Sequence, residues 1–94
     1  MVENLKRNEE REQDPLILNI TRQGEVSIAV CFKANPEEVK RVLNVDYAYS
    51  ISSVYEFEVI EEQILKLGKI IERRPCFIKV DGKPVNVLIF RVLI

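Results

Sequence analysis

Residues 47–74 read YAYSISSVYEFEVIEEQILKLGKIIERR, and how this stretch divides decides the fold. Its first part alternates. Tyr47, Tyr49, Ile51, Ser53, Tyr55, Phe57 and Val59 share one parity, and Ala48, Ser50, Ser52, Val54, Glu56 and Glu58 the other, which is the period of a strand. A two-residue turn at Ser52-Ser53 would pair Ile51 with Val54 and mix the two sets. A single strand bent at the serines keeps them apart and is the favoured reading, with a three-residue loop as the alternative. From Ile60 the period changes. Ile60, Ile64, Leu67 and Ile71 recur at helical spacing, flanked by Leu65 and Ile70. Glu61 and Glu62 at the start and Arg73 and Arg74 at the end suit the helix dipole, and Glu62 stands four residues before Lys66. Pro75 ends the pattern. The stretch therefore predicts a strand to Val59 and a helix from Ile60 to Arg74, with Gly68 explained by close packing on a sheet.

Upstream, Met1 to Asp14 carries five acids and three bases with only Val2 and Leu5 apolar between them, so 1–14 is expected to be a charged arm, a frayed helix or disordered. Residues 15–94 form a single domain. Leu16, Leu18 and Ile20 alternate with Ile17, Asn19 and Thr21. After Gln23-Gly24-Glu25, Val26, Ile28, Val30 and Phe32 alternate in turn. A hairpin pairing Ile20 with Ile28 and Leu18 with Val30 puts the apolar residues on one face. Asn35-Pro36-Glu37-Glu38 then signals a helix start, with Asn35 as cap and Pro36 at the first position. Val39, Val42 and Leu43 give that helix a narrow apolar stripe, and it ends near Asn44.

Downstream, Cys76 to Val80 leads through Asp81-Gly82-Lys83-Pro84 into a strand from Val85 to Ile94, with Asp-Gly as the turn signal. This last strand is apolar on both parities, which places it either in the centre of a covered sheet or at a subunit interface. The expected fold is α+β: a two-layer sandwich with a mostly antiparallel sheet in the order β-β-α-β-α-β-β and both helices on one face. Without its first strand the order becomes β-α-β-α-β-β, which recurs in several small nucleic-acid-binding folds, although element order alone is analogy.

The composition removes many functions. Among 94 residues there are 14 Lys and Arg against 15 Asp and Glu, and no histidine, so His-based triads and His metal sites are excluded. The glycines, Gly24, Gly68 and Gly82, are scattered and make no phosphate loop. Cys31 and Cys76 lie in apolar runs and read as core residues. An enzyme would have to work with Glu, Lys, Tyr or Cys alone, its least implausible form a Cys76 activated by Arg73 and Arg74. No enzyme, cofactor, metal or membrane association is expected, and the expected location is the cytoplasm.

Two features point toward function. The tyrosine-rich strand and the two-sided terminal strand nominate Tyr47, Tyr49, Tyr55, Val87, Ile89, Val92 and Leu93 as an interface. Charge is also segregated: residues 37–62 hold seven acids and two bases, and residues 66–83 hold six bases and two acids. The leading expectation is a non-enzymatic binding or assembly module, a homodimer or larger homo-oligomer acting through protein–protein contacts. The alternative is a DNA- or RNA-binding protein that grips phosphates with Lys66, Lys69, Arg73 and Arg74 on the basic helix 66–74 and Lys79 and Lys83 on the 79–83 hairpin. Abundant Val, Ile and charged residues with one Thr and one Met also resemble the composition of heat-adapted proteins. Calorimetry is expected to give an unfolding midpoint above about 60 °C.

Overall fold

The computed structural model describes residues 18–94, and the expected charged arm lies outside them. Strand β1 (Glu25–Phe32) is followed by helix α1 (Pro36–Leu43), strand β2 (Tyr47–Ile51), helix α2 (Val54–Leu67) and strands β3 (Lys69–Val80) and β4 (Lys83–Leu93). The class is α+β, with one four-stranded mixed sheet in the order β2-β1-β4-β3. β1 and β2 are parallel, and β4 runs antiparallel to both its neighbours. The apolar last strand is thus central, because only a position covered on both faces buries both of its parities.

Helices cover both faces of the sheet, not one as expected. Ile60 and Ile64 of α2 pack with Val26, Ile28, Phe90 and Val92, whereas Val39 of α1 packs with Ala29, Cys31, Val87 and Ile89. The connection through α1 steps outward from β1 to β2, and the connection through α2 steps back across the sheet to β3. Two crossovers of the same hand that move in opposite directions place their helices on opposite faces.

Local signals explain most of the elements. The Asn35 side chain accepts from the Glu37 N–H at 2.9 Å, Pro36 fills the first helical position, and α1 closes on Asn44 in the left-handed region with φ 57°. Asp81 and Gly82 both have positive φ, 54° and 77°, so the hairpin turn holds two residues and pairs Val80 with Lys83.

Three further expectations are corrected. The run from Tyr47 is a strand only as far as Ile51. Ser53 caps α2, its hydroxyl accepting from the Glu56 N–H at 3.1 Å while the Glu56 carboxylate accepts from the Ser52 N–H at 2.7 Å. This reciprocal cap overrides the alternation of Tyr55, Phe57 and Val59.

The helix ends at Leu67 rather than Arg74. Residues from Lys69 onward pair with β4, and Pro75 is tolerated because β3 is an edge strand. A bulge between Ile70 and Glu72 leaves Ile71 as the extra residue.

The first hairpin is absent. Both edges of β1 are occupied by β2 and β4, so residues 18–23 form no strand; Leu18 and Ile20 instead join the core under α2, and the Leu18 N–H donates to Gln63 Oε1 at 2.8 Å. Gly24, expected in the hairpin loop, extends the ladder by exchanging two backbone bonds with Ile94.

Gly68 does serve close packing, at the end of α2. A Cβ there would stand 2.3 Å from the Leu93 carbonyl oxygen, and the nearest atoms all belong to backbone. Gly68→Ala is therefore expected to lower stability by about 1–3 kcal/mol, read as a reduced urea midpoint at unchanged m-value.

Candidate functional site

The register carries the site. Val30 pairs with Leu88, which pairs with Pro75; Cys31 pairs with Val87, and Asn86 pairs with Phe77. One step beyond Cys31, Phe32 aligns with Asn86, so Phe32, Asn86 and Phe77 form a row across three strands. Alternation turns this row to the α2 side, next to the row of Val30, Leu88 and Pro75. Helix α2 covers the other end of that face. Its first core residue is Phe57, whose ring lies 6.3 Å from that of Phe90.

The uncovered end is a groove of about 350 Å³ lined by Val30, Phe32, Ile51, Phe57, Phe77 and Leu88, with Pro75, Asn86, Val87, Cys31 and Cys76 completing it. Asn86 is the one side chain in this lining with an amide, and no carboxylate, hydroxyl or amine is present. Within this lining Phe77 is 68% and Phe32 45% exposed, and the first turn of α2, between the lining residues Ile51 and Phe57, leaves Val54 and Tyr55 74% and 72% exposed. Lys33 sits with its ammonium 5.2 Å above the Phe32 ring.

The residues nominated from the sequence are dispersed. Tyr47 and Tyr49 are half-buried on β2 against the α2-side core, whereas Tyr55 is exposed on the first turn of α2. Burial, reinforced by Tyr47, pushes the Tyr49 phenol up. Val87 and Ile89 are buried on the α1 side and Val92 beneath α2, so none of the three offers free surface. Leu93 is half-exposed at the opposite end of β4. Of these residues only Val87 belongs to the groove lining, and its side chain is buried on the α1 side.

The cations do not share a helix face either. Lys66 is on α2, and Lys69, Arg73, Arg74 and Lys79 follow on β3, with Lys83 opening β4. The ten residue steps from Lys69 to Lys79 span roughly 33 Å. Arg73 bonds Glu61 at 2.9 Å and lies over Phe90, and Arg74 stands 3.9 Å from Glu72. Arg73 is thus matched by a carboxylate, whereas the Glu72 near Arg74 is bound more closely by Arg91, at 2.7 Å.

Phe32, Phe77, Asn86 and Val54 were not nominated. The available signal was the parity of Phe77, which shares its phase with Arg73 and Lys79 rather than with Cys76, Ile78 and Val80.

Cys31 and Cys76 are free, and both flank Val87 from neighbouring strands. Two strand spacings separate their Cα atoms by about 10 Å, beyond disulfide reach. Burial pushes the Cys31 thiol up, so it remains protonated and points toward the Tyr49 carbonyl oxygen at 3.4 Å. Among the described residues no group of three or more His, Cys, Asp or Glu side chains is placed to hold a metal ion.

Edge strand β2, which contributes Ile51 to the groove, is tied to β1 by Asp46. The Asp46 carboxylate accepts from the Ser27 N–H at 2.9 Å, from the Ser27 hydroxyl at 3.1 Å and from the Arg22 guanidinium. The Ser27 backbone bond, with help from Arg22, holds this carboxyl below its usual range against the opposing effect of burial.

No family model, curated protein or solved structure compared with the chain matches it.

Because the Asp46 carboxyl is depressed in the fold, its stabilisation is fully present above the unfolded value near 3.9 and fades as pH falls through the folded value. Asp46→Asn is expected to be less stable than the parent chain at pH 7, with the gap closing on acidification below about pH 4. Urea titrations of both proteins across that range measure it, and a gap independent of pH would refute the assignment.

Proposed function

We propose that the protein is a non-enzymatic binding and assembly module that makes protein–protein contacts through the groove beside α2 and self-associates as a homo-oligomer. The observation that carries this reading is the exposure of Phe32 and Phe77 in an apolar groove, next to a first turn of α2 that leaves Val54 and Tyr55 exposed as well. Contiguous apolar surface of this kind is characteristic of contact sites, since solvating it is unfavourable and burying it releases about 25 cal/mol per Å². The lining supplies amide and thiol groups but no acid–base pair to move a proton, which supports binding over catalysis.

The nucleic-acid reading ranks second. Exposed Lys79 and Lys83 favour it, but Lys66 lies in the last turn of α2 and Lys69 at the far end of β3, and Arg73 and Arg74 face carboxylates. No described helix is long and apolar enough to cross a membrane, which is compatible with the cytoplasmic location proposed for the module.

The test is Phe77→Asp. Phe77 is largely outside the core, so the variant should fold with an unchanged melting point yet run as a monomer in light scattering where the parent chain is oligomeric. A parent chain that stays monomeric at 100 μM, an order-of-magnitude ceiling well above typical specific affinities, would overturn the reading. Oligonucleotide affinity falling at least about tenfold between 50 and 200 mM salt would replace it with the second.

A further inference from the structure

The α2 face of the sheet is a step. One half is raised by the helix, and the other is bare along Phe32, Asn86 and Phe77. We infer that a second copy of this chain fills the step, packed face to face across a two-fold axis that runs along this row. The inference rests on the assembly reading above and adds the geometry of the contact. A half-turn about the row carries each copy's helix over the other's bare half, so a single surface is complementary to itself, as an isologous interface requires.

Three observations favour this occupant. The first is Asn86. Its side chain is exposed in the middle of an apolar row and bonds to none of the described residues. An amide buried among phenylalanines by an apolar partner would lose its hydrogen bonds to water. On the axis it meets its own copy, and each amide N–H donates to the other's carbonyl oxygen.

The second is charge. The bare half ends in Lys79, which shares the parity of Phe77, and the raised half begins with the acidic turns of α2, where Glu58 is exposed. The same half-turn brings Lys79 of one copy to the partner's Glu58.

The third is the condition of the sheet edges. β3 carries Pro75 and the Ile70–Glu72 bulge, and β2 has five residues, so neither edge favours strand-to-strand growth, which leaves contact through a face.

Charge reversal tests the geometry. Glu58→Lys and Lys79→Glu, both at exposed positions, should each fold normally and raise the dimer dissociation constant in sedimentation equilibrium by about tenfold. The double variant E58K/K79E should return to within about threefold of the parent chain, since the pair is restored with its signs exchanged. A double variant as weak as the singles, in a chain that Phe77→Asp still dissociates, overturns this arrangement and leaves the assembly reading standing. A parent chain monomeric throughout removes both.

Discussion

The fold depends on β4. It is the strand whose two faces are both apolar, and it joins β1 on one side to the long hairpin partner β3 on the other. Val85, Val87 and Ile89 need cover on one side, and Phe90 and Val92 on the other. A single helical layer satisfies half of that demand. The chain meets it with one helix per face, and the two crossovers, one leaving β1 for β2 and the other returning past β1 to β3, supply them. Burial of this strand also decides where exposure is left. The fourteen residues of α2 cover one end of their face, and the other end is floored by the same strand, at Leu88 and Asn86.

Signals that act over a few residues were readable in the sequence. Asn35-Pro36 and Asp81-Gly82 determine their own backbone, and the structure has the helix start and the turn where those residues stand. Signals of periodicity fared worse where two periods overlapped. Phe57, Ile60, Ile64 and Leu67 satisfy a helix, while Tyr55, Phe57 and Val59 satisfy a strand, and the decision lay in Ser53 and Glu56, which cap the helix from outside the repeat. Leu18 and Ile20 alternate like a strand but are buried under α2. Alternation reports a need for cover on one side, and either a strand partner or a helix can meet it.

The groove was less readable for a related reason. Apolar residues in strands were counted as core, and that holds for Val87, Ile89 and Val92, which the structure buries. Phe77 and Phe32 belong to the same strands yet lie beyond the reach of α2. Nothing local distinguishes them. Their exposure follows from how far along the sheet the helix extends, which depends on β1–β4 pairing between residues distant in sequence, such as Cys31 with Val87. A helix through Arg74 would gather the basic residues on one face. In a strand, successive cations alternate between faces, Arg73 pairs with Glu61, and Arg74 shares Glu72 with Arg91.

Pro75 and the bulge near its start give the twelve-residue outer strand a further consequence. An edge of that length with all its amides aligned would serve as a template for the same strand in another molecule, and each addition would expose a fresh template. A missing amide in the middle and a kink near one end interrupt the template twice. Crowded solutions and stressed cells are where such open-ended fibre growth begins, and there the interruption protects the molecule while leaving its exposed apolar groove unaltered.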